Sequence, residues 1–235
     1  MAFKMPITTG TSNETSLPPQ LRVDFLQKSV SFALNRLIYL KSKTKNLIHQ
    51  TAQEYQRVVE ACQRLFLQKT QDYGTAWRIL RLPSITDQIF IKAQRIRSIQ
   101  EKGTQKIQDD ITSEFVAIVN YCVIALIQEQ LMAAGEEEQA LAVDHVRDLY
   151  QDEIRKTHSL QQDKNHDYDE AWRSMRVESM TDLILMKIYR TKQIEDNDGQ
   201  TLVSEGVEAN YRDMLNYAVF CLIKLGYPDG TASAQ

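Results

Sequence analysis

The chain has 235 residues, 43% of them apolar and 25% charged, with 8 glycines and 5 prolines. That length serves one large or two small globular domains, and the scarcity of helix-breaking residues favours an all-α fold. The net charge is −3, but residues 1–50 carry seven Lys/Arg against two acids, leaving 21 against 29 in the rest; the body therefore lacks the basic footprint of a duplex nucleic-acid binder.

Residues 1–20 are Thr/Ser/Pro-rich, have no helical period and read as a disordered tail. Residues 21–50 are basic and place Phe25, Val30, Leu34, Leu37 and Ile38 at roughly helical spacing. They fit an accessory helix, or an extension that the fold does not need. They do not read as a signal peptide, because Arg36 interrupts the best apolar run. From Thr51, "TAQEYQRVVEACQRLFLQKT" sets Val58, Val59, Cys62, Leu65 and Phe66 on one stripe. "DYGTAWRILRLPS" breaks that helix at Gly74 and Pro83. "SITDQIFIKAQRIRSIQEK" opens a second helix and "DDITSEFVAIVNYCVIALIQEQLMAA" a third. Gly135 and the glutamates after it divide 51–135 from 136–227. The pattern then recurs: a helix at about 138–163, a break at "DYDEAWRSMRVES", a helix from Ser179, a loop "EDNDGQ" and a helix at about 204–225. Residues 228–235 read as a loose tail. No run of 18 apolar residues occurs, so no membrane span is expected. Cys62, Cys122 and Cys221 stand singly in apolar patterns, as reduced thiols of a cytoplasmic protein would.

The recurrence is a duplication. Residues 69–99 and 164–194 align without gaps at about 14 identities in 31 positions, where ordinary composition predicts about two. With one inserted residue, Asn120-Tyr121 matches Asn216-Tyr217. The expected architecture is all-α, a tandem duplication of a three-to-four-helix unit packed as an internal pseudo-dimeric bundle.

The shared residues allow two readings each. Asp72 and Asp167, followed by Tyr73 and Tyr168, are either turn carboxylates accepting backbone N–H groups or ligands held at a rigid corner. Trp77 and Trp172 are either packing anchors or platforms for a base. "SITD" and "SMTD" read as helix starts with Ser84 and Ser179 as N-caps, and Asp87 and Asp182 complete the box with an oxygen to spare. Lys92 with Arg95, and Lys187 with Arg190, share a helix face as ion-pair partners or as phosphate-directed cations. Asp213, among Met214, Leu215 and Ala218, needs a counter-charge or a bound cation. The first copy has Ala117 in its place, which implies that the second copy kept a site and the first a scaffold. Phosphate-binding, dinucleotide and zinc-protease motifs are missing from the sequence.

Taken together, "KxxDYG", "TDxIxxKxxR" and "DMLNYA" resemble the nucleotide modification associated domain type 1 family, over about 51–225. The Asp-bearing last helix is similar, more weakly, to the MazG-type all-α nucleoside triphosphate pyrophosphatases, which hold Mg²⁺ with helix-borne acids. These resemblances imply a nucleotide-binding protein of nucleotide metabolism or modification, in its sharpest form a Mg²⁺-dependent pyrophosphatase. Asp167, Asp182 and Asp213 would hold the metal. Lys187 and Arg190, with Lys92 and Arg95 as first-copy counterparts, would meet phosphates, and Trp172 or Tyr168 would flank the base. The chain departs from the family pattern at Ala117 and at Asp169, which replaces the turn glycine Gly74. The competing expectation is a non-enzymatic helical interaction protein, self-associating or not. In it Asp72, Tyr73, Trp77, Asp87, Asn120 and Asn216 cap helices and bridge the units. The two readings divide on whether Asp213 converges with Asp167, Asp182, Lys187 and Arg190.

Overall fold

The computed structural model describes residues 19–103, 111–136, 140–168, 170–201, 203 and 205–229, with the side chains of 19–30, 33, 38, 40–48 and 162–168 outside the description. The expected tail at 1–18, and 230–235 of the expected C-terminal one, also fall outside it. Among the described residues every regular element is helical: α1 (Pro19–Tyr73), α2 (Leu82–Lys102), α3 (Ile111–Ala133), α4 (Val143–Tyr168), α5 (Val177–Asp196) and α6 (Val207–Lys224). Two compact units divide at Ile48/His49. The first, where described, is the start of α1, with Phe32, Leu34, Leu37 and Tyr39 exposed. Everything below concerns the second unit.

Its core is built from the two most apolar helices. In α3, Phe115, Val119, Cys122, Val123 and Ile127 are fully enclosed, and in α6 so are Tyr211, Met214, Leu215, Ala218 and Val219. By length and composition α3 alone among the described helices resembles a membrane span, but 72% of its apolar window is buried, as befits a core helix. The helix α2 packs on α3, α5 packs on α6, and the two pairs meet through α3 with α6 and α2 with α5.

The duplication is written into the contacts. Lys192 reaches Asp87 at 2.5 Å and Arg97 reaches Asp182 at 3.5 Å. Position 97 is the repeat equivalent of 192, and 87 of 182, so one ion pair occurs twice with the partners exchanged. The same exchange relates Thr86, donating to Glu195 at 2.7 Å, and Thr181, accepting from Gln100 at 3.1 Å. It also relates Tyr55, donating to Asn216 at 2.9 Å, and Tyr150, donating to Asn120 at 2.9 Å. Residue i meets j where j′ meets i′, which is the signature of a two-fold interface, here within one chain. Contact order also reverses along each pair, so α2 and α5 run antiparallel. So do α1 and α4, where Tyr55 stacks on His158 at 4.4 Å and Phe66 meets Tyr150 at 5.1 Å.

One local expectation is corrected. Neither Ser84 nor Ser179 is an N-cap: the helices begin earlier, behind Arg81 and Arg176, and neither cap makes a side-chain hydrogen bond. Pro83 lies in the first turn of α2, where a residue without an N–H is at home. Asp87 and Asp182 consequently sit past the helix start and point to the partner repeat. The first helix breaks at Gly74, as the sequence predicts. It runs through Asp72 to Tyr73 and ends where Gly74 takes φ 64° and donates to Thr70 O at 2.9 Å. Asp72 is thus an exposed last-turn residue.

The seam carries one asymmetry with a measurable consequence. Where the first copy has Gln100 the second has Glu195, also bonded by Tyr211 at 3.1 Å. Burial, with Asp87 and Asp196 nearby, raises the Glu195 carboxyl above its usual 4.5. The folded chain therefore holds that proton more firmly than the unfolded one, and stability contributed here falls as pH rises from 4.5 through the raised value. Glu195→Gln restores the first copy's chemistry. Its stability gain over the wild type is expected to grow with pH across that window in urea titrations; a gain independent of pH would refute the assignment.

Candidate functional site

The two corners connecting the first and middle helices are fastened alike. Each contains a short 3₁₀ turn, Ala76–Ile79 or Ala171–Ser174. Arg78 donates to Gln128 and to Glu136 O, both at 2.7 Å. Arg173 donates to Glu170 at 2.7 Å and Glu54 at 2.6 Å, and Thr51 also bonds Glu170 at 2.6 Å. Gln128 and Lys224, equivalent positions in α3 and α6, bond the backbone carbonyls of Arg78 and Arg173 respectively. The motif arginines thus hold the corners in place.

Beneath the corners the repeats part company. In the first, a cavity of about 630 Å³ opens between the end of α1, the corner and one face of α3. Lys69, Tyr73, Trp77, Asn120 and Tyr121, all shared with the second repeat, line it together with Gly74. Thr112, Ser113, Ala117 and Tyr227 complete its polar and small-residue wall. That volume suits a small organic ligand, and the mixture of aromatic rings and a few polar groups is what such sites use.

The second repeat's counterpart is smaller, about 360 Å³, and its described lining includes Leu160, Arg212, Asp213 and Asn216, the equivalents of Leu65, Val116, Ala117 and Asn120. Arg212 in place of Val116 fills space with a charged network: it bonds Glu153 at 2.8 Å, Glu208 at 2.6 Å and Thr157 at 2.7 Å. Phe220 in place of Ile124 stacks on Trp172 at 4.3 Å, nearly parallel at 7°. Arg173 lies over the same ring at 4.5 Å. Packed against Phe220 and Arg173, Trp172 is left only 5% exposed. In this arrangement Trp172 is held as a packing anchor. Both indole N–H groups are buried without a partner among the described residues, so that feature does not separate the clefts.

The predicted metal and phosphate residues are brought together only in part. Lys187 and Asp213 meet at 2.6 Å, both largely buried. The carboxylate in α6 has the counter-charge its surroundings demand. Asp182 is 63% exposed and turns to Arg97 in the seam with α2. The side chains of Asp167 and Tyr168 lie outside the described residues, as does Asp169. Arg190 is exposed. Lys92 at 3.1 Å and Arg95 both engage Glu114, which is 3% exposed. That buried acid stands one turn before Ala117, so the first copy keeps a carboxylate for its cations in a shifted place. Lys187 with Asp213, and Lys92 and Arg95 with Glu114, are paired within the fold. Among the described residues no group of three or more His, Cys, Asp or Glu gathers as a metal site. Asp213 is engaged by Lys187 and Asp182 by Arg97, and no chemical step is derived through a metal here.

The cleft residues that sequence reasoning passed over are Lys69, Thr112, Ser113, Tyr121 and Tyr227. A signal for the cleft was present: with the one-residue insertion, Val116, Ala117 and Ile124 align with the bulkier Arg212, Asp213 and Phe220. The thiols are not candidates. Burial pushes Cys62 up to about 12 and lifts Cys122 and Cys221 well above the ordinary thiol range.

No curated protein and no solved structure matches the chain. A family model does match, in two segments, 69–128 and 164–225, which coincide with the two repeats and together span more than half of the sequence. The chain belongs to the nucleotide modification associated domain 1 family, as a tandem, pseudo-two-fold pair of its helical units.

Proposed function

We propose that the chain is a nucleotide-binding protein of nucleotide metabolism or modification, and that the cleft of the first repeat is where the nucleotide binds. The observation that carries this reading is that residues of the family's repeated motif, Lys69, Tyr73, Trp77 and Asn120, line one cavity of nucleotide size. Trp77 and the tyrosines offer stacking surface for a base, and Lys69 offers a charge for phosphate. Placement in the first copy departs from the expectation that the second kept the site. The three buried thiols accord with a cytoplasmic protein, and that location is part of the proposal. Binding is the extent of the proposal, because the cavity lining is what supports it.

The protein carries two tryptophans, one in each copy. Titration with a nucleoside and nucleotide panel, followed by fluorescence and calorimetry, is expected to quench Trp77. The quench should survive Trp172→Phe and vanish in Trp77→Phe. Trp77→Ala should weaken binding by about 1–3 kcal/mol, the usual worth of one base–aromatic stack, and Ala117→Phe should close the cleft. No quench and no heat at millimolar ligand would refute the site. Pyrophosphate release in the presence of Mg²⁺ would overturn the restriction to binding.

A further inference from the structure

We infer that the first-repeat cleft is a composite site: the chain leaving the second repeat, residues 225–229, forms a strap along one of its walls, and Tyr227 on that strap contacts the bound nucleotide. The inference rests on the nucleotide-binding reading above and adds a binding residue and the repeat that supplies it.

The two repeats end their last helices differently. Gln128 and Lys224 are equivalent, yet α3 runs on to Ala133 while α6 stops at Lys224. The stop is local chemistry. Gly226 takes φ 74°, and the N–H groups of Gly226 and Tyr227 donate to Ile223 O and Leu222 O, both at 3.0 Å. These bonds satisfy carbonyls at the helix end, and Pro228 has no N–H with which to continue the helix. By alignment Tyr227 matches Leu131, which is buried within α3. Off the helix, Tyr227 is instead half-buried against the core, and it lines the first-repeat cleft with Phe66 and Asn120. It also lines a second cavity, of about 230 Å³, with Glu54, Arg57 and Lys224. One side chain thus stands between the two spaces, and its displacement would join them. The pin that holds the strap is slight. Arg57 meets Asp229 at 3.2 Å with both side chains more than half exposed, so the pair is screened and readily parted. An aromatic ring set in the wall of a site, on a loosely pinned segment, can close onto a ligand and withdraw to release it.

The experiment titrates the full chain with the common ribonucleosides and their 5′-mono-, di- and triphosphates, at a temperature where every variant is folded by circular dichroism. Calorimetry gives affinity, and stopped-flow quenching of Trp77 in the Trp172→Phe background gives rates. Tyr227→Ala should weaken the tightest-binding member about tenfold, and Tyr227→Phe, which keeps the ring, should bind as the wild type does. Asp229→Asn, at an exposed position, leaves the core intact and tests the strap independently. Association and dissociation should both quicken, about two- to fivefold, with affinity unchanged. Unchanged affinity in Tyr227→Ala, or unchanged rates in Asp229→Asn, overturns this inference, while impaired binding in Trp77→Ala would leave the cleft itself standing. No binding of any member of the panel to the wild type overturns both.

Discussion

Arg212→Met is expected to lower the unfolding free energy by about 3 kcal/mol, the lower end of what breaking a buried ion pair from one side costs. Arg212 is 8% exposed and Glu153 3% exposed. Removing the guanidinium strands Glu153 in the core and leaves Thr157 without its donor. Lys156, 2.8 Å from the other oxygen of Glu153, remains and moderates the loss. Glu208 is mostly exposed and returns to water at little cost. Replacing both partners removes the stranded charge, so Arg212→Met with Glu153→Met should recover most of the loss. Urea unfolding of the two variants decides the matter. A single variant within 1 kcal/mol of the wild type would show that the network is not what fills the second cleft.

Trp172→Ala and Trp77→Ala are equivalent substitutions in the two copies and should behave unequally. Trp172 is 5% exposed, with Phe220 stacked on it and Arg173 over its ring. Its loss opens a cavity in the core, for about 3–5 kcal/mol. Trp77 is half-buried on the wall of a space that is already open, and its truncation should cost about 1–2 kcal/mol. Ligand binding should show the reverse order, with Trp77→Ala impaired at temperatures where it is fully folded. Equal destabilisation of the two would mean that the first cleft closes around Trp77 in solution. That outcome would remove the physical basis of the site.

The duplication, the all-α class and the pseudo-dimer were legible because they rest on identity at a constant offset and on apolar periodicity, both explicit in the letters. Asp213 was legible in a narrower sense: a carboxylate between Met214 and apolar neighbours must find a positive partner, and Lys187 is that partner. Helix starts were not, because "SITD" satisfies a capping pattern equally well whether the helix begins at Ser84 or, as it does, at Leu82. The unequal clefts are legible only as side-chain volume at aligned positions: Val116, Ala117 and Ile124 leave the room that Arg212 and Phe220 take up.

The exchanged tyrosine–asparagine bonds also govern how this protein is made. Tyr55 finds its partner 161 residues downstream, at Asn216. The N-terminal repeat therefore leaves the ribosome with part of its core unmatched, and stays so until α6 has been synthesised. Contacts of such sequence separation form late and slow folding. During that interval the face of α3 that will meet α6 has no partner to bury it.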